Sequence, residues 1–157
     1  MFQNIKGKMS FYYIFFILSI IFSEISLAHH TETHFEESSK YKIVYQCNKS
    51  DERYLLQILF SAGELIRKHG DDVQIVIACM GPGVHLLIKD KSIKVKRELK
   101  QKAASLAEYG VAFHVCGNTL KSINLKKDDL FQFSEVVPIG VEGVMLLQRQ
   151  GFSYFAW

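Results

Sequence analysis

"VQIVIAC", Val73 to Cys79, runs almost without a polar break, is rich in β-branched residues, and closes on Met80-Gly81-Pro82-Gly83, where a strand cannot continue regularly. A strand facing solvent on one side would alternate polar and apolar residues; this one does not, so both of its faces are predicted to be covered. Its neighbours in the chain follow the same grammar. Upstream, Ile43-Val44-Tyr45 leads to Cys47 and a polar turn, Asn48-Lys49-Ser50. Ser50 is placed to cap a helix with Asp51 and Glu52 in its first turn and Leu55, Leu56, Leu59, Ala62, Gly63 and Ile66 as apolar positions, and Gly70 stops it.

Downstream, a second helix is predicted over Lys94 to Tyr109, with Val95, Leu99, Ala103, Leu106 and Ala107 on one stripe and Gly110 at the terminating position. "VAFHVC", Val111 to Cys116, reads as the next strand, followed by a short helix from Asn118 to Ile123. "SEVVPIG" supplies a further strand, Val141 to Gln150 a further helix, and "FSYFAW" a terminal aromatic strand. The order β-α-β-α-β-α-β-α-β with continuous apolar strands predicts an α/β fold around a mainly parallel sheet of about five strands, with helices on both faces.

The 157 residues, 48% of them hydrophobic, suit one core rather than two. The amino terminus is set apart from it. Lys6 and Lys8 precede an apolar block, Phe11 to Phe22, and then Ser26-Leu27-Ala28, the pattern of a secretory signal peptide over residues 1–28. The block falls short of the roughly twenty residues that span a bilayer, so cleavage rather than anchoring is expected, leaving no membrane association and a periplasmic or secreted protein. Residues 29–41 are polar and aperiodic, a flexible leader, in which His29, His30 and His34 read as a solvated tail rather than metal ligands. The domain proper is residues 42–157. Removing Lys6, Lys8 and Glu24 lowers the net charge from +3 to +2, and with no basic cluster interleaved with aromatics there is no reason to propose nucleic acid, and none is expected as a partner. The Lys91 to Lys102 charge run reads as a solvated helix face.

The chain has three cysteines, an odd number, so in an oxidising compartment at least one lacks an intrachain partner. Cys47, Cys79 and Cys116 each close a predicted strand, which puts all of them at the edge of the sheet where open α/β folds gather their chemistry. Cys116 is the sharpest. Gly117 permits a tight turn, Asn118 or Thr119 is placed to cap the helix, and a sulfur facing a helix start favours thiolate over thiol. A thiolate attacks disulfides and persulfides and can itself carry a terminal sulfur. His114, two residues earlier, shares the Cys116 side of the strand; a neutral core histidine is the simpler reading, an acid–base partner the sharper one. Gly81-Pro82-Gly83 lacks the Gly-Lys-Ser/Thr ending of a phosphate loop, so no nucleotide is expected. The aromatic tail, Phe152, Tyr154, Phe155 and Trp157, reads as core or interface packing.

"GPGVHLL", "VCGNTL" and "EVVPIGVEGVMLLQRQGFSYF" stand in an order and spacing that resembles the DsrE/DsrF-like family, over Lys42 to Phe155. The resemblance implies a three-layer α/β/α sandwich, assembly into trimers or hexamers, and a cysteine that passes persulfide sulfur to a partner protein. Only Cys116 matches that cysteine. Gly117, Asn118, Thr119, His114, Gly81 and Gly83 are then expected to support the site. Cys47 and Cys79 stand where relatives tend to carry His or another polar residue, which leaves open whether Cys116 acts alone, pairs with one of them, or helps hold a metal. The expected function is a sulfur carrier without cofactor or metal; the competing reading is a non-catalytic oligomeric module in which the thiols hold a small ligand or a soft metal ion.

Overall fold

The structure is a computed structural model and describes residues 39–90 and 95–157. The signal segment, nearly all of the polar leader and Lys91–Lys94 lie outside the described residues. Among those described, no helix is long and apolar enough to cross a membrane.

The strands are β1 (Tyr41–Cys47), β2 (Val73–Cys79), β3 (Ala112–Cys116), β4 (Ser134–Val137) and β5 (Ser153–Phe155). The helices are α1 (Glu52–His69), α2 (Arg97–Glu108), α3 (Gly117–Ser122) and α4 (Gly140–Arg149). The strands form one five-stranded sheet in the order β4-β3-β2-β1-β5, parallel at every pairing. β2 is central and buried from Gln74 to Cys79, which is why its sequence shows no alternation. The connections from β1 through β4 step across the sheet in one direction, and right-handed crossovers put α1 and α2 on the same face. The last connection returns to β5 beyond β1, so α4 lies on the other face. The result is a three-layer α/β/α sandwich.

The larger core lies under α1 and α2, where Tyr45, Cys47, Ile75, Ile77, Cys79, Phe113 and Val115 of the sheet meet Leu55, Ile58, Leu59, Leu99 and Leu106. The smaller one lies under α4 and joins Val44, Val76 and Ala78 to Val144, Leu147 and Phe152. Burying each Val, Leu, Ile or Phe side chain among them contributes roughly 1.5–3 kcal/mol. At the carboxyl edge Phe155 closes onto Tyr45 with ring centroids 5.7 Å apart, while Tyr154, Phe155 and Trp157 remain partly exposed.

Local readings differ from the expectation at several points. The cap of α1 is Asp51, not Ser50: its carboxylate accepts the Tyr54 N–H at 3.0 Å, so the helix starts one residue later. The inward stripe of α1 follows from that start and includes Tyr54 and Ile58, while Leu56 is exposed. Gly70 does end the helix, with φ +55° and its N–H on the Ile66 carbonyl. After β2 the chain forms a 3-10 helix, Gly81–Leu87, which the turn residues did not reveal. β1 begins at Tyr41, one residue inside the expected leader.

Candidate functional site

Cys116 is the last residue of β3 and the cap residue of α3, so Asn118 and Thr119 are not caps, as expected from sequence, but the second and third residues of the helix. The reason is geometric: the chain turns from extended to helical at the cysteine itself, whose ψ of 115° is still extended, and Gly117 already belongs to the helix. A Cβ at Gly117 would lie 3.2 Å from the carbonyl oxygens of Val137 and Pro138, a tight contact that a larger residue could enter only if β4's end gave way slightly. β4 runs beside β3 with Cys116 level with Val137, so the start of α4 arrives at the same corner. There the Gly140 N–H donates to Cys116 Sγ at 3.3 Å. A Cβ on Gly140 would come within 2.8 Å of the Cys116 Cβ, so only glycine allows this approach.

Burial by itself would raise the Cys116 thiol. Against it act the Thr119 hydroxyl and then the backbone amides of Thr119, Gly140 and Asn118, and together they bring it below its ordinary value. The Thr119 hydroxyl is itself positioned: its oxygen accepts the Gly81 N–H at 3.1 Å, which leaves its proton to the sulfur. Gly81 has φ +50°, a left-handed conformation that brings its amide to Thr119. Gly83 serves the fold at the same turn, since a Cβ there would meet the Cys47 carbonyl at 2.1 Å. Cys116 is only 8 % exposed, and the chain neighbours of its donor Gly140, Ile139 and Val141, are exposed apolar residues.

Strand alternation puts His114 on the Cys116 side of β3, the side of α4. It is 9 % exposed, and neither ring nitrogen has a hydrogen-bond partner among the described residues. Burial lowers its pKa, and the Glu135 carboxylate, 3.6 Å from Nε2, opposes that shift.

Cys47 and Cys79 share the sheet edge with Cys116 but not its face. Both belong to the core under α1 and α2, where they stand level across β1 and β2. The Cys79 thiol is pushed well above its ordinary value, first by its hydrogen bond with Cys47 and then by burial. The convergence of three thiols on one metal ion therefore does not form: a period of two sends Cys116 to one side of the sheet and the other two sulfurs to the opposite side. Among the described residues no group of three or more His, Cys, Asp or Glu side chains is placed to hold a metal.

Sequence reasoning missed Gly140 and Tyr54. Gly140 had a signal, a glycine just after Val137-Pro138 at the start of a helix on the cysteine edge. Tyr54 had none: its hydroxyl donates to the Gln46 carbonyl at 2.8 Å and accepts the Asn48 N–H at 3.1 Å, holding the end of β1, and only folding brings these groups together.

The family model that matches this chain is that of the DsrE/DsrF-like family, over residues 42–157. Among solved structures, a protein of unknown function from Methanobacterium thermoautotrophicum is similar at 26% identity and a TM-score of 0.67, covering 74% of this chain and 99% of its own. No curated protein matches.

Proposed function

Since this chain belongs to the DsrE/DsrF-like family, we propose that it is a thiol-based sulfur carrier in which Cys116 accepts and passes on a sulfane sulfur. The observation that carries the reading is the Gly140 N–H on Cys116 Sγ at 3.3 Å. Joined by the Thr119 hydroxyl, it supplies donors that favour a sulfur bearing negative charge, whether thiolate or persulfide. The Cys116 thiolate attacks the outer sulfur of a donor persulfide; the new S–S bond forms as the donor thiolate leaves. An acceptor thiolate then attacks the terminal sulfur and releases the Cys116 thiolate. Atoms and electrons balance in both steps without a cofactor.

Lys6, Lys8, the apolar block and Ser26-Leu27-Ala28 support a periplasmic site of action, with a mature chain beginning at His29. The donor is then a protein or small-molecule persulfide of that compartment, and the acceptor a protein or small-molecule thiol.

The test is the intact mass of the purified protein after exposure to a persulfide donor. The expected result is a gain of one sulfur that is lost in Cys116→Ser and restored to an acceptor thiol on mixing. A sulfur adduct that persists on Cys116→Ser removes Cys116 from the role.

A further inference from the structure

Cys47 and Cys79 are the last residues of their strands and stand directly opposite each other in the β1–β2 ladder. Register partners on adjacent strands lie about 4.8 Å apart, inside the roughly 4.4 to 6.8 Å between Cα atoms that a disulfide spans. Their side chains leave the same face of the sheet into one core, where Cys47 is the strongest influence on the Cys79 thiol. Cys116 points to the other face, so neither sulfur has it as an alternative partner. From this juxtaposition we propose that Cys47 and Cys79 are a second thiol site, a buried dithiol that closes reversibly to an intrachain disulfide in the native protein.

The oxidant is a disulfide, borne by a protein or a small thiol. One cysteine of the pair attacks it as thiolate and expels the first thiol; the other then attacks the resulting mixed disulfide and expels the second. The oxidant's S–S bond breaks and the Cys47–Cys79 bond forms. Two electrons pass from the pair to the oxidant, and the two thiol protons end on the two released thiols. A dithiol reductant reverses both steps.

Both sulfurs are buried, and Cys47 Sγ lies 3.9 Å from the Gly83 carbonyl beneath the 3-10 turn. Exchange therefore proceeds through local opening of that turn, and the pair reacts more slowly than a thiol at the surface. The same turn reaches Cys116. The Cys47 carbonyl accepts the Met80 N–H at 2.9 Å, and the next amide, Gly81, holds the Thr119 hydroxyl at 3.1 Å. The proposal does not depend on sulfur transfer at Cys116 and stands or falls separately.

The test uses the full chain with Cys116→Ser, folded and incubated to equilibrium in oxidised glutathione, then alkylated in denaturant. The expected product carries no alkyl group, weighs about 2 Da less than the reduced chain, and yields the Cys47 and Cys79 tryptic peptides joined, all reversed by dithiothreitol. Two alkylated thiols at equilibrium, glutathione on each cysteine, or a bond that forms only after denaturant is added would each overturn the proposal. Should Cys116→Ser fail to fold, peptide mapping of the oxidised wild type separates a Cys47–Cys79 link, which supports it, from links to Cys116, which sink it.

Discussion

At the scale of single residues the site is a balance at one sulfur. Burial opposes charge on Cys116, and hydrogen-bond donors held by two helix starts and a glycine turn overcome it. Thr119→Val removes the hydroxyl while keeping the side-chain volume, and leaves the Gly81 N–H without its acceptor. The Cys116 pKa is therefore expected to rise, and the midpoint of its alkylation rate against pH to move upward; an unchanged midpoint would mean that the amides alone set it. The sign for stability follows from the same shift. Because the folded pKa lies below the unfolded one, the thiolate interaction stabilises the fold fully above the unfolded pKa and is lost as pH falls through the folded value. His114, lowered by burial despite Glu135, has the same sense at lower pH: the fold loses stability as the imidazole is forced to take a proton.

At the scale of elements, the difference between Ser50 and Asp51 is the clearest check on how α1 begins. Both are good caps, and they are adjacent. Only Asp51 sits three residues before an N–H it reaches, that of Tyr54, and Tyr54 in turn ties down the end of β1. Asp51→Ala is expected to lower stability by about 1 kcal/mol in chemical denaturation, whereas Ser50→Ala changes it by less than about 0.5 kcal/mol. Equal losses would return the cap to Ser50. The 3-10 helix after β2 belongs to this scale too: Gly83 packs so close to the Cys47 carbonyl that no side chain fits at that position.

At the scale of the whole molecule, apolar surface is left over. Ile139, Val141 and Met145 around α4 and Tyr154, Phe155 and Trp157 at the carboxyl end are all more than two-fifths exposed. We propose a second copy of this chain as their cover, in a trimer or hexamer. Light scattering is expected to give a multiple of the single-chain mass. Val141→Asp is the discriminating variant: at a position 68 % exposed in the single chain it is nearly neutral for folding, but it buries a charge in an assembly and should release monomer. A wild type that scatters as a monomer at tens of micromolar refutes the assembly.

What the sequence by itself determined is whatever depends on near neighbours: the strands from continuous apolar runs, α1 and α2 from their stripes, the stops at Gly70 and Gly110, and the placing of Cys47, Cys79 and Cys116 at strand ends. Order and apolar character also implied the parallel sheet, since an unalternating strand such as Val73–Cys79 is at home only between two layers of helices. Tertiary structure decided the rest. Which cysteines share a face depends on strand register and a period of two, so Cys47 meets Cys79 and Cys116 turns away from both. Gly140 reaches Cys116 across 24 residues, and Gly81 reaches Thr119 across 38, because β4 lies beside β3 and the turn after β2 closes over the same edge. Local propensity carries no information about contacts at such separations; they exist only once the crossovers have brought the strand ends together.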